Sequence, residues 1–97
     1  MNYKISKLAE SDLEKIWLYT FEEWSLEQAD YYYDLIMNEI EYISKNPKSG
    51  TDYNEVRKGY FRSRVKSHFI FYKINWKEEA IEIIRILHQQ IDIDFHI

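Results

Sequence analysis

The 97-residue chain is 45% hydrophobic and 31% charged with only two Gly and one Pro, the balance of one water-soluble domain over residues 1–97, not of two packed domains or a disordered tail. It has no Cys, which excludes disulfides, a thiolate nucleophile and Cys-based metal sites. With no signal-like start and no apolar run near the ~18 residues of a membrane span, a cytoplasmic protein that does not engage membranes is expected. The formal net charge of −4 divides into blocks of −7 over 1–55, +7 over 56–77 and −4 over 78–97. The middle block, Arg57, Lys58, Arg62, Arg64, Lys66, Lys73 and Lys77, holds no acid; it can meet phosphates or an acidic partner, or lie as a solvated strand surface.

In chain order, Tyr3 and Ile5 alternate with Lys4 and Ser6, which predicts a short half-buried strand. Leu13, Ile16, Trp17, Thr20 and Trp24 recur at helical spacing, with Ser6 or Ser11 as N-cap. Ser25-Leu-Glu-Gln28 fits a capping box and opens a second helix whose apolar face is Ala29, Tyr32/Tyr33, Ile36, Ile40 and Ile43. Asn46-Pro47 ends it, because a residue before proline avoids the helical region. Lys48 to Asn54, with Gly50, reads as a loop. Helices joined this tightly form an antiparallel hairpin.

Beyond the loop the period changes to two. Phe61, Ser63 and Val65 alternate with Arg62, Arg64 and Lys66, which puts three cations on one strand face. A turn at Lys66-Ser67 leads to His68–Trp76, whose centre Phe69-Ile70-Phe71-Tyr72 is apolar on both faces and is expected to be the middle strand. Asn75 to Glu79 turns again into Ala80–His88, where Arg85 stands alone among Ile83, Ile84, Ile86 and Leu87. Gln89–Ile97 is expected to be a turn or loose extension. Ile16, Ile36, Ile40, Phe71, Ile83 and Ile84 are expected in the core between hairpin and sheet.

Nine Tyr, five Phe and three Trp exceed what a core of this size needs, and either face a partner or hold their hydroxyls at the surface. His68, His88 and His96 lack the close pairing of a metal motif, and no phosphate-cradling glycine loop is present; no metal or cofactor is expected. Glu22-Glu23, Glu27 and Glu78-Glu79 read as solvated charge at helix ends and turns, and no acid orients a Ser63/Ser67–His68 nucleophile.

The segments Leu8-Ala9-Glu-Ser-Asp12-Leu13-Glu-Lys-Ile16-Trp-Leu-Tyr19, Gln28-Ala29-Asp-Tyr-Tyr32, Asn46-Pro47-Lys-Ser-Gly50, Val56-Arg57-Lys-Gly59-Tyr60, Ser67-His68-Phe-Ile70-Phe71-Tyr72 and Arg85-Ile86-Leu87-His88 together resemble the ParE toxins of the RelE/ParE superfamily. The resemblance implies an α+β fold of order β-α-α-β-β-β, a helical hairpin on a small antiparallel sheet. It also implies a ParD-type antitoxin partner and DNA gyrase as the target, inhibited without bond chemistry. RelE-like relatives instead cut messenger RNA on the ribosome, and a third reading is a non-toxic antitoxin-binding module.

For antitoxin binding the candidates are Trp17, Tyr19, Trp24, Tyr31, Tyr32, Arg62 and Arg64, taken as a groove for an acidic amphipathic segment. For target binding they are Arg57, Arg62, Arg64, Lys66, Arg85 and His88. No catalytic residue is expected of a gyrase inhibitor. A nuclease would need a base, an acid and cations beside the developing phosphorane charge: Arg64 and Arg85 for phosphate, His88 or His68 for protons, Tyr72 to orient or donate. The alternative roles for His68, His88 and Arg85 are hydrogen bonds that hold the sheet and the C-terminal segment.

Overall fold

The computed structural model describes residues 1–91, 96 and 97. Strand β1 (Asn2–Ile5) runs into helix α1 (Lys7–Glu23), then α2 (Leu26–Lys45), and the chain returns through β2 (Thr51–Asp52), β3 (Tyr60–Val65), β4 (His68–Asn75) and β5 (Ala80–His88). The helices form a hairpin on one face of a five-stranded sheet of order β1-β5-β4-β3-β2. This is the α+β architecture expected, with two differences. The edge strand β1 pairs with β5 in parallel, Tyr3 against Ile81 and Ile5 against Ile83, so the sheet is mixed. The loop after Pro47 contributes the short strand β2, antiparallel to β3.

Local chemistry sets the boundaries. Ser6 is the N-cap of α1: its hydroxyl accepts from Ala9 N–H at 3.0 Å and donates to the Ile84 carbonyl at 2.8 Å, which fastens the helix start to β5. Ser25 caps α2 by accepting from Gln28 N–H at 3.0 Å. The reciprocal half of the capping box is not made, and Gln28 lines a cleft instead. Asn46 ends α2 with its N–H on the Tyr42 and Ile43 carbonyls. Lys66, at φ 54°, makes the tight turn between β3 and β4, so it leaves the strand face on which Arg62 and Arg64 stand.

The core lies between hairpin and sheet: Ala9, Leu13, Ile36, Ile40 and Ile43 from the helices meet Ile70, Tyr72, Ile81, Ile83 and Ile86. A register shift between Phe71 and Tyr72 sets one extra β5 residue in the ladder, so that Ile83 and Ile86 both reach the helices. Ile16 is only half-buried. Phe71 is fully buried but lies outside this cluster, with its ring edge-on to Tyr53 and beside Phe69 on the sheet's other face; Ile84, half-buried, also lies outside the cluster. Trp24 is the C-cap of α1 and 76% exposed, because the helix that would have turned it inward ends at Glu23.

Gly50 sits where a side chain has no room. A Cβ there would come within 2.5 Å of the Tyr72 hydroxyl and 2.8 Å of the Arg62 carbonyl. Its N–H donates to Tyr72 Oη, which in turn donates to the Pro47 carbonyl, both at 2.9 Å. Burial raises the Tyr72 pKa above its ordinary value. The C-terminal extension begins with a turn at Gln89-Gln90; residues 92–95, to which that expectation also applied, lie outside the described residues.

Candidate functional site

The connected end of the hairpin, around Trp24-Ser25, the β3–β4 turn and the end of β5 enclose a cleft of about 920 Å³. Helix α1 contributes Asp12, Lys15 and Tyr19, its C-cap Trp24 follows, and α2 contributes Gln28, Tyr31, Tyr32 and Leu35. The floor is Lys66, Ser67 and His68 from the turn with Arg85 to His88 from β5. Tyr19 is 66% and Tyr31 54% exposed, so the cleft has aromatic walls open to solvent. Aromatic area of this kind, apolar in body and polar at the tip, is what partner-binding surfaces use.

His68 and His88 oppose each other across β4 and β5, with ring centroids 5.2 Å apart. The Tyr32 hydroxyl lies 2.6 Å from His68 Nδ1 and 3.2 Å from the Val65 carbonyl, so it bridges α2 to the sheet. His88 Nδ1 accepts from Gln90 N–H at 3.1 Å. Burial is the main cause that lowers the His68 pKa to about 4; the neighbouring His88 acts in the same direction and Asp12 opposes it. His68 is therefore neutral at pH 7, a hydrogen-bonding group and not a cation.

That shift has a stability consequence. The unfolded His titrates near 6.5, so between about 6.5 and about 4 the unfolded chain binds a proton that the folded chain refuses, and stability falls as pH falls through this window. Between pH 7 and about 4.5 the expected loss attributable to His68 is roughly 1–2 kcal/mol, the full linkage value being discounted for solvent that reaches the ring. Urea titrations across this range check it. His68→Gln is expected to flatten the dependence, and an unchanged slope would assign the titration to other groups.

Arg85 is committed to Asp12. Its Nε donates to Oδ2 at 2.8 Å and its Nη2 to Oδ1 at 2.9 Å, while Oδ2 also accepts from Ile86 N–H at 2.9 Å and Nη1 donates to the His96 carbonyl at 3.2 Å. A two-point guanidinium–carboxylate pair with side-chain exposures of 16% and 8% ties α1 to the free end of β5.

The predicted residues therefore divide among several places. Tyr19, Trp24, Tyr31 and Tyr32 share the cleft with Lys66, Arg85, His68 and His88. Trp17 does not join them: its Nε1 donates to Asp30 at 3.0 Å, its ring stacks on Phe21, and it lines a smaller depression with Ile5, Leu13 and Tyr33. Arg62 and Arg64 stand on the sheet's outer face, in register with Phe71 and Phe69. Arg57 lies in the loop before β3. Tyr72 is sealed in the core, stacked on Phe61. Of the five groups a nuclease would use, His68, His88 and Arg85 meet in the cleft, whereas Arg64 and Tyr72 do not line it. Asp12, quoted only within a family segment, is the residue that sequence reasoning missed.

A family model described as ParE toxin of type II toxin-antitoxin system, parDE, matches residues 3–93. The chain is 35% identical over 92 residues to Toxin ParE1 of Mycobacterium tuberculosis (strain ATCC 25618 / H37Rv), covering 95% of this chain and 93% of that protein. It is 36% identical over 95 residues to Toxin ParE1 of Caulobacter vibrioides, covering 98% and 96%. Its fold matches a structure titled "Chromosomal ParDE TA system from P. aeruginosa" with a TM-score of 0.78 at 17% identity, over 91% of this chain and 95% of the other. With a family match over nearly its whole length and relatives above one-third identity, the chain belongs to the ParE toxins of type II toxin–antitoxin systems, proteins that are paired with an antitoxin.

Proposed function

We propose that this toxin acts in the cytoplasm by binding and inhibiting DNA gyrase, performs no bond chemistry of its own, and is neutralised by a ParD-type antitoxin whose acidic amphipathic segment enters the aromatic cleft. The observation that carries the reading is the commitment of the site's chemical groups elsewhere. Arg85 is held by Asp12, His68 is neutral and bonded to Tyr32, Tyr72 is inaccessible, and Arg64 is bonded to the Lys66 carbonyl and Gln89 without lining the cleft. Phosphodiester cleavage needs proton donor, proton acceptor and phosphate-binding cations converging within hydrogen-bond reach of one bond. Exposed Tyr19, Trp24 and Tyr31 support binding, since large rings at a rim supply affinity when a partner covers them.

Expression in cells separates this reading from a ribosome-dependent nuclease. Wild type is expected to induce DNA-damage signalling while transcripts stay intact, and His88→Gln to weaken growth arrest only through fit. A nuclease would instead lose about 10²–10⁴ of its turnover with that substitution. Codon-dependent transcript cleavage on ribosomes, abolished by His88→Gln, would put the nuclease in the place of the gyrase inhibitor.

A further inference from the structure

The basic island is not spread over the protein; its best-organised part is the outer face of the sheet, away from the helices and the aromatic cleft. Tyr60, Arg62 and Arg64 of β3 lie in register with Lys73, Phe71 and Phe69 of β4. There the cations lie on rings. The Arg62 guanidinium carbon is 4.4 Å from the Phe69 centroid and 5.0 Å from that of Tyr53, Arg64 is 5.8 Å from Phe69, and Lys73 Nζ is 5.6 Å from Tyr60. Arg64 is further fixed by Nε donating to the Lys66 carbonyl at 2.8 Å and by a bond to Gln89.

Among the described residues the Arg62 side chain makes no hydrogen bond or ion pair, and no buried side-chain nitrogen lacks a partner, so its N–H groups reach solvent. The nearby carboxylates are engaged or distant: Asp52 accepts from Asn54 N–H at 2.8 Å, Glu82 opposes Lys73 on the next strand, and Glu78 pairs with Lys4 at the far edge. A guanidinium resting on two rings, with unused donors and no ion-pair partner among the described residues, is already positioned for an anion that the chain itself does not supply.

We infer that this outer sheet face is a nucleic-acid contact, which binds the phosphodiester backbone through Arg62 and Arg64 with Lys73 beside them. Arg62 and Arg64 are two residues apart on one strand, hence ~7 Å apart, of the order of the step between successive phosphates along one strand. With their faces on rings, the guanidinium groups have their edge N–H donors left for phosphate. An acidic protein segment fits less well: its apolar side would need open ring area, and here the rings are already covered by cations. The inference concerns this chain and nucleic acid alone, and stands or falls apart from the gyrase reading.

Fluorescence anisotropy with labelled single-stranded and duplex DNA, titrated with salt, tests it. Wild type is expected to bind at low salt, and Arg62→Gln with Arg64→Gln to weaken binding at least about tenfold and to reduce the slope of log affinity against log salt by about 1.4 for single strands or 1.8 for duplex. Lys7→Gln with Lys45→Gln, which removes equal charge from the helices, is expected to change both far less. The stronger-bound probe identifies strand or duplex as the natural form of the ligand. No binding of either probe, an equal loss in the helix variant, or displacement by polyglutamate as effective as by unlabelled DNA would overturn the inference. Circular dichroism establishes that each variant is folded.

Discussion

Asp12→Ala is expected to cost about 3–5 kcal/mol, because it strands a charge that the fold has taken largely out of water. Three donors lose their acceptor at once: two on Arg85 and the Ile86 N–H. Asp12 projects from the second turn of α1 and Ile86 lies beyond the reach of β1, which pairs only with Ala80–Ile83, so the carboxylate takes the place of a missing strand neighbour. A domain of this size has a total stability of about 5–15 kcal/mol, and the loss is a large share of it. Asp12→Asn, which keeps acceptors for Ile86 and for one guanidinium N–H, is expected to lose about half as much. Urea titrations of both variants measure the difference; a loss below about 1 kcal/mol in the alanine variant would mean that the pair is not what holds α1 to β5.

The second large effect is expected at Ile40. It is fully buried in the middle of the helix–sheet core, so Ile40→Ala removes three carbons where neither α2 nor the sheet can readily collapse, at a cost of about 2–5 kcal/mol. Phe71→Ala is expected to cost a similar amount for another reason: it opens the sheet's other face beneath Tyr53 and Phe69. The two losses are expected to add within ~0.5 kcal/mol in the double variant, since the side chains lie on opposite sides of the sheet. Denaturant titration of the singles and the double checks this, and strong non-additivity would place both residues in one cluster.

Which parts of this were legible follows from which interactions are local. Ser25, Asn46-Pro47 and the Ile36/Ile40/Ile43 spacing act within a turn or two of the chain, and the helix boundaries and buried stripe could be read from them. The run Ala80–His88 was readable as a strand for the same reason. The parallel partnership of β1 with β5 was not, because it joins residues some eighty positions apart and nothing in Tyr3-Lys-Ile5 names a partner. Hydrophobicity alone places Phe71 and Ile84 on the helix side, whereas strand alternation and the β5 bulge put them elsewhere. Trp17 and Trp24 have helical spacing with the core residues, yet one faces Asp30 and Phe21 and the other lies past the helix end.

The Asp12–Arg85 pair did leave a signal. Asp12 shares a helical face with Ala9, Leu13 and Ile16, and Arg85 is the single cation of an isoleucine-rich strand. Two opposite charges, each alone in an apolar stripe, have few places to go except to each other. The cleft itself is half legible: its tyrosines and Trp24 stand out by their excess on the hairpin, but the pairing of His68 with His88 needs the β4–β5 register, which spacing alone leaves undetermined.

The most direct test of the functional reading is DNA supercoiling by purified gyrase in the presence of this toxin. Inhibition that rises with toxin concentration, is preserved in His88→Gln and is reversed by adding the cognate antitoxin is the result expected of a binding inhibitor neutralised through the aromatic cleft. Full supercoiling activity at a large excess of folded toxin would contradict it.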